Sequence, residues 1–197
     1  MTDNPIKLVV VIASVRDGRL GPTVADWFVG QVMSRADMAV DVVDLLDHPL
    51  PLVMPASGQQ PATGVATARD TLSARLSAGD AFVVVTPEYN HSFPAALKNL
   101  LDWFLDEWAA KAVGFVSYGG MSGGLRAVEH LRQVFAELHA VTVRESVSFH
   151  DAWTRFDGHG RPYRTGECEA AAKALLDQVH WWAVTLRDAR TRRPYRR

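Results

Sequence analysis

Three short polar stretches carry the side chains that could do chemistry. The first, SVRDGRLGPT (residues 14–23), combines the hydroxyls of Ser14 and Thr23 with the guanidinium groups of Arg16 and Arg19. Gly18 and Gly21 permit tight turns, and Pro22 suits a first helical turn. Backbone NH groups at a helix start and charge-assisted donors suit a terminal phosphate; the competing reading is a capped helix behind an exposed basic turn. The second stretch offers Pro87, Glu88, Tyr89, Asn90, His91 and Ser92. Its backbone could meet a planar polar edge, Tyr89 could stack and Asn90 could hydrogen-bond. Glu88 is equally suited to a local cap or ion pair, and His91 to holding the loop. The third, SYGGMSGG (residues 117–124), places four glycines in eight residues, so backbone donors can approach a flat ligand closely.

Two common nucleotide signatures are missing. Without GxGxxG or GxxxxGK[ST], neither a dinucleotide pyrophosphate nor a P-loop nucleotidase is supported, and a mononucleotide with one terminal phosphate fits better. No histidine and carboxylate spacing indicates a metal. GMSGG (residues 120–124) has the form of a nucleophile elbow, which would make Ser122 a hydrolase nucleophile completed by Asp151 or Asp157 and His159 or His180. That alternative leaves Arg16, Arg19 and residues 87–92 without a role.

The elements that must position these loops follow from periodicity. Ile6 to Ala13 is a nearly continuous apolar strand pattern, followed by helical spacing at Val24, Trp27, Phe28 and Val32. A short strand from Val40 to Leu45, a helix over 64–78 and a second central strand from Ala81 to Thr86 come next. A helix from Pro94 to Asp106 continues through Trp103, Phe104 and Trp108, with Asp102, Asp106 and Glu107 on its solvent side. Then come a strand from Ala112 to Ser117, a helix from Gly124 to Leu138, a strand from Ala140 to Phe149 and a last helix from Glu167 to Arg187. Alternating strands and helices with apolar strands predict a five-stranded parallel sheet covered on both faces. Ligands sit beyond the carboxyl ends of such strands, where all three polar loops fall.

Composition is that of one ordinary globular domain: 197 residues, 48% hydrophobic and 22% charged, with a formal charge of -1 that recommends neither nucleic acid nor an anionic membrane. Residues 187–197 hold six arginines and one aspartate. They suggest a single domain over 1–190 and a flexible basic tail over 191–197, a phosphate or subunit clamp being the other option. Cys168 is the only cysteine, which suits a reducing compartment. With no leader pattern at the start and no apolar run of membrane length, the cytoplasm is the expected location.

ASVRDGRLGPTVADW (residues 13–27) resembles the pattern GSxRxGRxGxxVAxW of the NADPH-dependent FMN reductase family, a flavodoxin-like group with azo-, quinone- and chromate-reducing members. PEYNHSFPAALKNLLDW (87–103) and SYGGMSGGLRAVEHLR (117–132) resemble its second and third signatures, PEYNHSxPxxLKNxLDW and SYGxxSGGxRAxxxLR; Ala13 replaces the usual glycine. The resemblance implies an α/β fold, a three-layer α/β/α sandwich with strand order 2-1-3-4-5. It implies FMN as cofactor, with a phosphate loop at Ser14, Arg16, Arg19, Gly21 and Thr23. Ring and ribityl contacts fall at Pro87, Glu88, Tyr89 and Asn90, and Ser117, Tyr118, Gly119 and Gly120 lie beside the ring. The implied reaction passes hydride from NADPH or NADH to FMN and on to free flavin, a quinone or another small acceptor, with no indispensable catalytic side chain. A homodimer, or dimers paired as a homotetramer, and a monooxygenase partner are also implied. An FMN-binding electron carrier without NAD(P)H turnover of its own is the alternative in another class.

Overall fold

Runs of β-branched residues build the centre of the molecule. The computed structural model describes residues 4–56 and 58–196, so the start of the chain and the last arginine of the basic tail lie outside the described residues. In chain order the elements are β1 (Ile6–Ile12), α1 (Gly21–Met33), β2 (Met38–Asp44), α2 (Thr63–Ala78), β3 (Ala81–Pro87), α3 (Ala95–Trp103), β4 (Ala112–Tyr118), α4 (Leu125–Glu137), β5 (Val141–Phe149) and α5 (Thr165–Arg192), with a single 3-10 turn at Ala152–Thr154 before α5. The strands form one five-stranded sheet in the order β2-β1-β3-β4-β5, and every neighbouring pair is parallel. β3 and β4 are buried along their whole length, which explains why their sequences do not alternate.

Helices cover both faces. α1 and α5 pack Val24, Phe28, Leu175 and Val179 against one face of the sheet. α2, α3 and α4 pack Leu72, Leu97, Leu131 and Phe135 against the other. Because α1 follows β1 onto the first face and α3 follows β3 onto the second, the chain diverges beyond the carboxyl ends of these adjacent strands. The crevice so opened is the topological switch point at which such sheets bind ligands.

Two elements depart from their sequence patterns. α3 stops at Trp103 instead of running on through Asp106, because Phe104 is extended (φ −129°, ψ 131°). This bend turns Phe104 and Trp108 into the core, where Trp108 lies 4.5 Å from the Phe82 ring and donates its Nε1–H to the Phe104 carbonyl at 2.8 Å. Glu107 is also engaged, accepting a hydrogen bond from Ser73 at 2.6 Å. α5 continues five residues past Arg187, to Arg192. Both Arg187 and Arg190 reach the Asp80 carboxylate between α2 and β3, at 3.2 and 3.7 Å. Among the described residues, no helix is long and apolar enough to cross a membrane.

The edge strand β5 is protected by side chains. Arg132 donates to the Val143 and Arg144 carbonyls at 2.7 and 3.1 Å, and the Gln178 side chain accepts from the Glu145 NH at 3.0 Å. These contacts occupy polar groups that an open edge would offer to another strand. At the opposite end of the sheet from the crevice, the Lys111 ammonium donates to the Leu76 and Ser77 carbonyls, each at 3.0 Å, and so satisfies the end of α2. Burial, with Arg190 nearby, pushes its pKa down to about 8. From there up to the ordinary lysine value of about 10.4 the unfolded chain binds more protons than the folded one, so this residue makes stability rise with pH across that window. The unfolding free energy of the wild-type chain should therefore gain about 1–3 kcal/mol on that of Lys111→Met between about pH 7.5 and pH 10.5. Denaturant titrations would show this; a constant difference would put the Lys111 pKa at its ordinary value.

Candidate functional site

The first wall of the crevice is the loop between β1 and α1. Ala13 still pairs with β3, its NH 3.0 Å from the Val85 carbonyl; beyond it the chain leaves the sheet and Gly21 opens α1 with Pro22 in the first turn. Gly21 sits so close to two hydroxyls that a Cβ there would fall 2.2 Å from Ser14 Oγ and 3.0 Å from the Tyr118 hydroxyl. Both oxygens are buried, and neither reaches good hydrogen-bond geometry with a protein atom. Burial pushes the Tyr118 phenol above its ordinary pKa despite the nearby Ser14 hydroxyl, so it stays a neutral donor. The side chain of Tyr118 thus points beneath the α1 start, while its backbone continues into the glycine turn.

The two arginines of this loop have different surroundings. Arg19 forms a two-pronged pair with Asp44 at the end of β2, at 2.6 and 2.7 Å, and donates to the Ser14 carbonyl at 2.7 Å. Its pKa is raised, chiefly by the hydrogen bonds to Asp44. Arg19 therefore ties the loop to β2. Arg16 is exposed and has no carboxylate partner among the described residues; its guanidinium lies 5.3 Å from the centre of the Tyr89 ring. Among the described residues, the NH groups of Arg16, Gly21 and Thr23 have no protein acceptor. One cation, several free backbone donors and an orphaned hydroxyl therefore converge at the N-terminus of α1, the donor set that a phosphate dianion requires.

The second wall is the turn after β3. Tyr89 and Ser92 exchange both backbone hydrogen bonds, at 2.8 and 3.1 Å, and the two residues between them, Asn90 (φ 49°) and His91 (φ 72°), are left-handed. These are the hallmarks of a type I′ turn, which asparagine tolerates well. Pro87 is buried at the end of β3, and Asn90 is exposed at the tip. The Glu88 NH binds the Tyr118 carbonyl at 3.0 Å. The side chains of Glu88 and His91 turn toward α4. Glu88, with 5% of its side chain exposed, pairs with Arg126 Nε at 2.7 Å and accepts the Arg126 backbone NH at 3.1 Å. His91 meets the same guanidinium, and Ser92 meets His130 at 3.0 Å.

The glycine turn after β4 lies between these parts. Ser117, fully buried, donates to the Gly123 carbonyl at 2.9 Å. Gly124 is left-handed (φ 89°), and a Cβ on it would approach Ser117 Cβ to 2.6 Å, so this tight return needs glycine. Gly119 donates to the Phe149 carbonyl at 3.1 Å, and the carbonyls of Gly119 and Gly120 accept from Ala152 and Asp151 at 3.0 Å each. The NH groups of Gly120 and Met121 have no protein acceptor among the described residues. They fit the polar edge of a flat ring, as the α1 start fits a phosphate.

Tertiary structure adds Asp44 and Arg126 to the residues singled out from sequence. Asp44 carries one available signal, a carboxylate at the carboxyl end of a strand beside the switch point. Arg126 lies within the third motif, yet its partner is 38 positions away. The hydrolase alternative is not assembled. The Ser122 hydroxyl faces the Glu88 carboxylate and helps lower its pKa, His180 lies 3.4 Å from Asp37 before the amino end of β2, and the His159 NH serves the turn around Asp157.

Burial raises the Glu88 pKa, but hydrogen bonds from Ser122 and Arg126 and the Arg126 charge outweigh this and hold it below its ordinary value. The resulting stabilisation is complete above the unfolded carboxyl pKa and is lost as pH falls through the lower folded one. Glu88→Gln should cost about 2 kcal/mol near neutral pH, and the loss should shrink below about pH 4.5. Urea titrations at both pH values check this; a loss that does not change with pH would show that the Glu88 charge is not responsible.

The sequence pattern of the family described as NADPH-dependent FMN reductase matches residues 6–154. An NAD(P)H-dependent FMN reductase of Schizosaccharomyces pombe is 40% identical over 123 residues, which cover 60% of this chain and 60% of the yeast protein. A probable NADPH:quinone oxidoreductase 2 of Oryza sativa subsp. japonica is 36% identical over 129 residues, covering 62% of each. The matched part thus spans about three fifths of the length of these two relatives. Among solved structures, FerB of Paracoccus denitrificans, described as a flavoenzyme NAD(P)H:(acceptor) oxidoreductase, superposes with a TM-score of 0.70 at 20% identity, over 91% of this chain and 98% of that one, and so shares the fold. Since the family pattern covers well over half of the sequence, this chain belongs to the NADPH-dependent FMN reductase family.

Proposed function

We propose that the protein holds FMN across the three loops and catalyses electron transfer from NADPH or NADH to a free flavin, a quinone or another small acceptor. The observation that carries this reading is the meeting, at the switch point of the sheet, of a phosphate-type donor set around Arg16 and a glycine turn with free NH groups. When bound, the flavin supplies the ring that takes a hydride from the nicotinamide and passes the electrons on.

In this reading Ser14, Arg16, Gly21 and Thr23 bind the phosphate. Arg19, neutralised by Asp44, acts on that site by fixing the loop. Pro87, Tyr89 and Asn90 line the ribityl and ring edge on one side, with Glu88 contributing its backbone and holding the turn to α4. Ser117 shapes the glycine turn, the Tyr118 hydroxyl supports the phosphate loop from below, and Gly119 and Gly120 present their backbone to the ring. The chain supplies alignment and a donor-rich environment, and no acid or base side chain of its own moves a proton. The cytoplasm suits a chain with one cysteine, and a monooxygenase that consumes reduced flavin is a compatible partner.

Equilibrium titration with FMN, followed by anaerobic addition of NADPH or NADH, tests the reading. Absence of FMN uptake, or of nicotinamide oxidation with FMN present, overturns it. Steady turnover with free FMN or a quinone and no second protein separates a reductase from an electron carrier. Arg16→Ala should weaken FMN binding by about 1.5–3 kcal/mol, the contribution of a hydrogen bond to a charged group; an unchanged affinity removes Arg16 from the phosphate site.

The assembly proposed with this function is a homodimer, or dimers paired as a homotetramer. Leu46, Leu52, Val53 and Met54, after β2, are exposed. Leu46 and Leu52 also line an apolar cavity of about 330 Å³ together with Val15, Leu50 and Ala96. Asn99 and Trp103 of α3 bind the carbonyls of Leu50 and Pro51 at 2.8 and 3.0 Å, so this apolar surface is held in shape. Light scattering should give twice or four times the mass of one chain, and Leu52→Asp should lower it; a wild-type monomer would refute the assembly.

A further inference from the structure

One large side chain beside the glycine turn stands mostly in solvent. Beyond β5, the NH groups of Asp151 and Ala152 bind the carbonyls of Gly120 and Gly119, and the Gly119 NH binds the Phe149 carbonyl. The next residues are fixed as well: Thr154 and Arg155 donate backbone bonds to Asp151 and Ala152 at 2.9 and 3.1 Å, and Arg155 Nε donates to the His150 carbonyl at 2.7 Å. Ala152 is buried. Under this segment Phe149 packs between Trp27 and Phe156, with ring centres 5.2 and 4.9 Å apart. On that rigid base the Trp153 side chain is left in solvent, the residue being 71% exposed. The far edge of its indole lies 3.3 Å from where a Cβ on Gly120 would stand. Met121, on the same turn, is 85% exposed.

A hydrogen-bonded backbone here presents an indole and a thioether side by side next to free NH donors, an exposed apolar patch at the rim of the candidate site. The strand order places the glycine turn between the Tyr89 turn on one side and the Trp153 segment on the other. We propose that Trp153, with Met121, is the specificity-determining surface for the electron acceptor, stacking on flat π-conjugated acceptors of the naphthoquinone or azoarene type at the ring end of the site. This rests on the reading of the three loops as an FMN site. Indole gives a broad, rigid, apolar face that gains from planar aromatic partners and gains little from compact hydrophilic ones. Trp153 therefore selects by shape and polarisability, leaving the phosphate and ring contacts to the other loops.

The test uses the full chain loaded with FMN, as wild type, Trp153→Ala and Trp153→Phe. FMN affinity, measured first, should be the same in all three, as should the rate of anaerobic reduction by NADPH. For a naphthoquinone, Trp153→Ala should raise KM about tenfold with kcat within about twofold, whereas KM for ferricyanide stays constant and Trp153→Phe restores most of the loss. Independently of turnover, titration of the oxidised protein with the same quinone should quench indole emission in the wild type, and the fraction quenched should fall in both variants. An unchanged quinone KM, an equal loss with ferricyanide or a slower reduction by NADPH would each overturn the assignment. Failure of the wild type to take up FMN would overturn the site reading and this inference together, and the first titration shows it before any acceptor is added.

Discussion

β1 hydrogen-bonds to β2 along one edge and to β3 along the other, and the chain leaves β1 and β3 toward opposite faces of the sheet. Everything chemical about this molecule depends on that divergence. Buried parallel strands cannot carry polar side chains at their centres, so polar groups collect where the strands end. Divergence at β1 and β3 keeps the space beyond them open, while the helix starting at Gly21 points its unpaired NH groups into it.

Two ion pairs then give the open space its shape and sign. Arg19 and Asp44 join the first loop to β2, and Glu88 and Arg126 join the turn after β3 to the start of α4. Each pair spends one arginine on structure, and each neutralises a carboxylate at the edge of the crevice. Neutralising both carboxylates leaves Arg16, stacked on Tyr89, as the free cation of the first loop. Charge selection at this site is thus a matter of which arginine lacks a partner, as much as of how many arginines the loop contains.

The glycine turn and the segment after β5 complete the enclosure in a different way. Gly119, Gly120 and Gly123 use their backbone groups to bind one another's neighbours and the Phe149–Ala152 segment, so no side chain intrudes on the NH groups of Gly120 and Met121. Met121 and Trp153 are bulky, exposed groups at this rim, and the His150 ring beside them meets the Met121 carbonyl at 2.8 Å. A preorganised frame of this kind suits a family whose electron chemistry belongs to its cofactor, since the protein then contributes position and local electrostatics.

The amino-acid sequence by itself determined the class of fold, the five strands and the three loops, because apolar runs, helical spacing and glycine-proline punctuation are local signals that survive any choice of partner. Ser14, Gly21 and the SYGG turn could likewise be placed at a helix start and a strand end from neighbours in the chain. Only the tertiary structure decided that Arg19 belongs to Asp44, 25 residues away, and Glu88 to Arg126, 38 residues away. It alone bends the chain at Phe104 to bury Trp108, extends α5 so that Arg187 and Arg190 reach Asp80, and leaves Trp153 beside Gly120. The physical reason is the same in each case: an ion pair, an aromatic packing site or an exposed rim is set by which residues the topology brings within a few ångströms, and periodicity along the chain carries no record of that distance.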